Sequence, residues 1–153
     1  MTVRPELEFL ADAEITLGPV QELGRTPAGR RRIIPITGGV FRGPGLDGEV
    51  LAGGADWQVI RPDGVAVIDT RYTLAATGGD LIYVRTRGYR HGPADVIDRL
   101  AAGRPVDPAE YYFRLTVCLE APAGRHEHLN RSVIVATAAR LPNAVRYAAY
   151  LIR

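Results

Sequence analysis

Few side chains in this 153-residue chain can do chemistry, and most of them fall at alternate positions. GGADWQ (53–58) places the only tryptophan, Trp57, directly after Asp56. A carboxylate beside an indole and away from water has a raised proton affinity, as a general acid or base working near neutral pH requires. Asp69 and Arg71 alternate further on, with Tyr72 next in DTRYTL (69–74). Tyr83, Arg85 and Arg87 alternate in LIYVRTRGYRHGP (81–93), and Tyr112 and Arg114 in EYYFR (110–114). Asn130 follows in LNRSVIVATAAR (129–140). Guanidinium forks match carboxylate oxygens and stack on rings, so arginines with tyrosine walls suit an anionic or phenolic ligand.

Other chemistries are poorly served. All 19 basic residues are arginine, so a Schiff-base or phosphate-loop lysine is excluded. His126 and His128 have a spacing that metal sites on strands use, but no glutamate and later histidine follow in the expected places, so no metal ligands are assigned. Cys118, the only cysteine, forms no internal disulfide and reads as a buried structural thiol. Ser132 is the only serine and is not at a nucleophile elbow. The paired glycines at 38–39, 53–54 and 78–79 read as turns rather than a dinucleotide fingerprint. No cofactor is called for.

The elements that must carry these residues are short and β-rich. Seventeen glycines and 11 prolines punctuate runs of β-branched and aromatic residues, the rhythm of an all-β sandwich or barrel. Strands are expected at 9–17, 30–37, around Phe41, 57–61, 65–74, 81–87, 111–120, 129–138 and 144–152. Pro62-Asp63-Gly64 reads as a tight turn, which makes the strands of Asp56 and Asp69 neighbours. One helix is expected, over 93–102, with proline first and glycine after it. Eight to ten strands in a single domain over 1–153 can close one antiparallel barrel of calycin-like form, whose interior holds side chains or one small ligand.

Alternation sorts side chains into faces. Asp69 and Arg71 oppose Ile68 and Tyr72; Tyr83, Arg85 and Arg87 oppose Ile82, Val84 and Thr86; Tyr112 and Arg114 oppose Phe113 and Leu115. Either the mixed face meets water and the apolar face packs, or part of the mixed face lines the lumen as a ligand site. The density of arginine and tyrosine tilts the reading toward the lumen. Asp56 and Trp57 point to opposite faces, so one pocket takes only one of them, and Asp56 is the choice. An Asp56 that merely caps the Gly53-Gly54 bend is the competing reading.

Taken together, RRRIIPITGGVFRGPGLDGEVLAGGADWQ (30–58) and the motifs quoted above resemble the DUF3237 family, also called UPF0311, over nearly the whole chain. The resemblance implies a small antiparallel β-barrel. It also implies recurring polar positions at Asp56, Trp57, Asp69, Arg71, Tyr72, Tyr83, Arg85, Arg87, Tyr112, Arg114, Asn130 and Arg131. The chain departs from the family pattern at His128, where an aromatic is expected, and at Ala138, where VATG is usual.

The resulting expectation is a barrel that binds a small anionic or aromatic molecule, with two alternatives: a carrier without chemistry, or a structural domain that dimerises through its mixed face. If it is an enzyme, Asp56 and Tyr83 serve as acid–base groups, and Tyr72 as a second donor. Trp57, Asp69, Arg71, Arg85, Arg87, Tyr112, Arg114 and Asn130 then contact the ligand. A net charge of +2 gives no pull toward nucleic acid or membrane. With no apolar run of membrane-spanning length and no leader pattern at MTVRPELEFL, a cytoplasmic protein, assembled as a homodimer, is expected.

Overall fold

A computed structural model describes residues 1–153. Ten strands follow one another: β1 (Leu7–Leu17), β2 (Gln21–Thr26), β3 (Gly29–Arg42), β4 (Gly48–Val50), β5 (Gly54–Ile60), β6 (Ala66–Ala76), β7 (Leu81–His91), β8 (Tyr112–Glu120), β9 (Ile134–Leu141) and β10 (Ala144–Ile152). A single helix, α1 (Ala94–Ala101), lies between β7 and β8. Every pairing is antiparallel, and the ring runs β1, β10, β9, β8, β7, β6, then β4 and β5 sharing one place, then β3 back to β1. This is a closed eight-stranded barrel. Closure pairs every strand of the ring on both sides, which removes exposed edges.

The sharing of one place by β4 and β5 follows from glycine. Val40 of β3 pairs with Glu49, whereas Ile36, four residues earlier, already pairs with Gly54 after the intervening turn. An ideal Cβ on Gly54 would stand 2.3 Å from the Arg71 carbonyl oxygen and 2.6 Å from Tyr72 Cβ, so only glycine lets β5 start flush against β6. β2 pairs only with β3 and extends it outside the ring. Beside the chain ends, Glu6 and Arg153 exchange backbone hydrogen bonds of 3.1 and 2.9 Å.

Inward residues follow the period of two. Ile82, Val84 and Thr86 of β7 and Phe113, Leu115 and Val117 of β8 are buried, while Tyr83, Tyr89 and Tyr112 are exposed. Thirty buried residues form one core cluster, each large aliphatic member contributing roughly 1.5–3 kcal/mol by leaving water. Val96 and Leu100 of α1 join it, with Asp95 and Arg99 placed to suit the helix dipole.

Several details differ from the sequence expectations, among them β4, which is not expected, and β7, which runs four residues past 87 to His91. The strands expected at 30–37 and around Phe41 are one strand, β3, whose two halves pair with different neighbours. β9 starts at Ile134 rather than 129, because residues 127–131 form a 3-10 turn. β2, with its polar sequence, was not anticipated. Cys118 is exposed on the outside of β8 rather than buried, since its parity is that of Tyr112 and Arg114.

Candidate active site in the barrel lumen

The stretch GGADWQ alternates across the wall. Asp56 is 7% exposed and Gln58 1%, both inside, while Trp57 is 36% exposed and outside, with the Arg71 guanidinium 6.0 Å from its ring centre. Asp56 pairs with Thr70 of β6, so its carboxylate sits a third of the way along β6. The Asp69 backbone N–H donates to Oδ1 and Gln58 Nε2 donates to Oδ2, each at 3.0 Å. Burial pushes this carboxyl from 3.8 up to about 6; the two hydrogen bonds and the charge of Arg90 pull the other way and only partly offset it.

Three arginines stand on the same side of the lumen. Arg90 of β7 is 6% exposed, and burial, helped by the charges of Arg140 and Arg32, lowers its pKa to about 10. Burial lowers Arg140 and Arg32 as well, again with like-charge neighbours. Arg32 Nη1 donates to Gln58 Oε1 at 3.2 Å. Its Nε is 3.5 Å from Glu22 Oε2, within ion-pair range but misaligned for a hydrogen bond, and Glu22 already takes two bonds from Arg30. Arg90 and Arg140 have no carboxylate within salt-bridge distance; Arg90 instead lies 5.6 Å from the centre of the Phe113 ring.

Deeper in, hydroxyls pair with one another. Tyr72 and Tyr147 place their oxygens 2.5 Å apart, and Thr70 and Thr86 do the same on neighbouring strands. Tyr147 rests edge-on against Phe41. These groups surround a partly enclosed cavity of about 80 Å³ whose rim includes Gly18, Val20 and Asn143, in the β1–β2 and β9–β10 connections. At roughly 10–15 Å³ per water, the space suits a small organic molecule. Eleven of its 20 lining residues are hydrophobic, so the guest has an apolar body with a few polar points of attachment.

Of the residues expected from sequence, the structure brings Asp56 and Tyr72 together in the lumen. The others lie elsewhere. Asp69 points outward, 3.7 Å from Arg87 and 4.0 Å from Arg71. Tyr83 is 38% exposed, and Arg85 shares its outer face. Tyr112 stacks on His91, with the Arg114 guanidinium over its ring at 5.2 Å. Trp57, Asp69, Arg87, Tyr112 and Arg114 border a separate outer groove. Asn130 pins a loop: its side chain accepts from the Ala121 N–H at 2.7 Å and donates to the Ala121 carbonyl at 2.9 Å. His126 is buried with Nδ1 3.1 Å from Asp80, while His128 lies exposed on the 3-10 turn.

Gln58, Arg32, Arg90, Arg140, Thr70, Thr86 and Tyr147 are not among the site residues expected from sequence. Parity was the signal: each lies an even number of residues from a buried strand neighbour, as Arg32 does from Ile34, Arg90 from Thr86 and Arg140 from Ala138.

Fold and site together define a small closed β-barrel whose half-apolar lumen holds one buried carboxyl group among buried guanidinium and hydroxyl donors. Residues 5–152 match the family described as "Protein of unknown function (DUF3237)", and the chain belongs to that family. It is 36% identical over 140 residues, 92% of each chain, to UPF0311 protein RPA1785 of Rhodopseudomonas palustris. The crystal structure of RPA1785 superposes with a TM-score of 0.95, covering 99% of this chain and all of that one. A β-barrel-like protein of Acinetobacter baumannii AYE, 47% identical, superposes at 0.88 over 100% and 99% of the two chains. Over a shorter span of 80 residues, about half of each chain, the protein is 34% identical to hydroalkoxylation enzyme phnH of Penicillium herquei. The crystal structure of an enzyme from Penicillium herquei, 21% identical, has the same fold at a TM-score of 0.74, covering 100% of this chain and 98% of that one.

Proposed function

We propose that the protein is an enzyme that moves a proton within a small anionic or aromatic molecule held in the lumen, with Asp56 as the acid–base group. The observation carrying this reading is a carboxyl buried in a ligand-sized cavity with its pKa raised to about 6. Such a group exchanges protons with a substrate near neutral pH, and the surrounding donors can stabilise negative charge as it develops. Asp56 takes a proton from one substrate atom and, now neutral, returns it to another. The product is an isomer, and neither oxidant nor reductant is consumed. Elimination begins with the same proton abstraction but releases its leaving group as a second product, whereas isomerisation and ring closure by addition of a hydroxyl across an activated double bond give a single isomer. The partial match to a protein named for hydroalkoxylation, an addition of O–H to an unsaturated carbon pair, supports the last.

The test incubates the protein with alkenes that carry both a hydroxyl and a conjugated carbonyl, in deuterated water. The expected result is a cyclic isomer carrying one carbon-bound deuterium, lost in Asp56→Asn. Undiminished turnover by Asp56→Asn overturns the assignment of Asp56. Tight binding with no product across the panel favours a carrier.

A further inference from the structure

Hydrogen-bond donors outnumber free acceptors around the cavity. Each Asp56 oxygen already accepts one hydrogen bond, from Asp69 N–H and from Gln58, and the Gln58 carbonyl oxygen accepts one from Arg32, so the acceptor sites left over are few. Tyr72 and Tyr147 share one hydrogen bond, which uses one of their two protons and leaves the other with no acceptor in the protein. Arg90 and Arg140 each bring five N–H groups, no carboxylate lies within salt-bridge distance of either, and both line the cavity. A guest that displaces solvent from such a place has to return acceptors at the same points.

The donors also come in two kinds at two places. Strand register puts Arg90 opposite Ala66 at one end of β6, whereas Tyr72 lies six residues further along the same strand, with Asp56 opposite Thr70 between them. One end therefore offers fixed positive charge, and the other a neutral hydroxyl proton. Planar guanidinium forks bind carboxylate in pairs of parallel hydrogen bonds, whereas a phenol suits a carbonyl oxygen.

We infer that the ligand is a small carboxylic acid bearing a second acceptor oxygen, its carboxylate gripped by Arg90 and Arg140 and its second oxygen accepting from the Tyr72–Tyr147 pair. This rests on the lumen being the ligand site, as in the proposed function, but not on any reaction there. It fixes the direction in which the molecule lies and brings the carbons between its two oxygens past Asp56.

The test uses three unreactive probes small enough for the cavity: 4-oxopentanoate, pentanoate, which lacks the ketone oxygen, and 4-oxopentanamide, which lacks the charge. Affinities are read by NMR titration of the backbone amides. The oxo acid is expected to bind about 10- to 100-fold more tightly than its amide and about 3- to 10-fold more tightly than pentanoate. Arg90→Met is expected to erase the first preference and leave the second. The double variant Tyr72→Phe/Tyr147→Phe is expected to erase the second and leave the first. Each readout compares two probes on one protein, so a general loosening of the barrel moves both equally; Arg140→Met replaces Arg90→Met should the latter fail to fold.

Equal binding of acid and amide, a ketone preference that survives the double variant, or no binding of the oxo acid at tens of millimolar overturns the inference. Because no turnover is measured, these outcomes stand apart from the Asp56→Asn test. The clamp can hold in a protein that catalyses nothing, and Asp56 can act on a ligand bound another way.

Discussion

Replacing Asp56 by asparagine should make the protein more stable at neutral pH, and the size of the gain should depend on pH in a defined way. The folded state holds the Asp56 proton with a pKa of about 6, against 3.8 for the free side chain, so ionising this group inside the barrel costs ~3 kcal/mol more than ionising it in the unfolded chain. Between those two values the folded state binds more protons than the unfolded state, so stability falls as pH rises. The contribution of a protonated Asp56 is fully present below 3.8 and is lost as pH climbs through about 6.

Asparagine cannot ionise. Its oxygen can still accept from the Asp69 N–H, but its amide cannot accept from Gln58 as the carboxylate does, a pH-independent loss of about 1 kcal/mol. Urea unfolding of both proteins from pH 4 to 8 measures the difference. Carboxylates such as Glu22, which arginine bonds hold below the ordinary range, respond to pH with the opposite sign, but equally in both proteins. The expected result is a variant that gains ~3 kcal/mol on the parent between pH 4 and 8, with the change complete near pH 7. A flat difference, or one that grows toward acid, would show that the protein welcomes the Asp56 charge, and the argument for a poised proton carrier would fail.

Turnover of any substrate that gives up its proton to Asp56 should rise as pH climbs through about 6 and then level, as a pH–rate profile of kcat/KM would show. Tyr147→Phe strands the Tyr72 hydroxyl and should cost about 1–3 kcal/mol, while Tyr72→Phe/Tyr147→Phe should cost less than the sum of the singles in a double-mutant cycle. Gly54→Ala drives a methyl group into the β6 backbone; a loss of about 1–3 kcal/mol in chemical denaturation is expected, with weaker binding in the lumen as Asp56 shifts. Arg87→Ala removes a loose, exposed ion pair with Asp69 and should change stability by under ~0.5 kcal/mol and leave turnover unaltered.

Alternation made the barrel legible, because residues two apart share a face whatever the rest of the chain does. It correctly separated Asp56 from Trp57 and set Ile82, Val84 and Thr86 against Tyr83, Arg85 and Arg87. Which face is interior is a different question, and there chemical appeal misled. Arg85, Arg87 and Arg114 form a dense run beside tyrosines, yet they lie outside, where solvent meets charge at little cost. Arg90 lies in the same LIYVRTRGYRHGP motif, yet Gly88 continues the inward parity of Ile82, Val84 and Thr86 to it. The half-and-half pairing of β3 and the polar strand β2 depend on long-range partners that no local pattern carries. For the same reason the Tyr72–Tyr147 contact, between residues 75 apart in the chain, was out of reach.

The backbone hydrogen bonds between Glu6 and Arg153 have a consequence for how freely the chain could be rewired. The two ends lie one strand spacing apart, so a linker of a few residues could join them without reaching across the molecule. New termini could then open in the exposed Gly78-Gly79 turn between β6 and β7, at the opposite end of the barrel from the β1–β2 and β9–β10 connections that line the cavity. A circular permutant of this kind would keep every pairing of the ring and change only the order in which the strands emerge during synthesis. Comparing its refolding with that of the parent would separate what the finished barrel needs from what the order of assembly supplies.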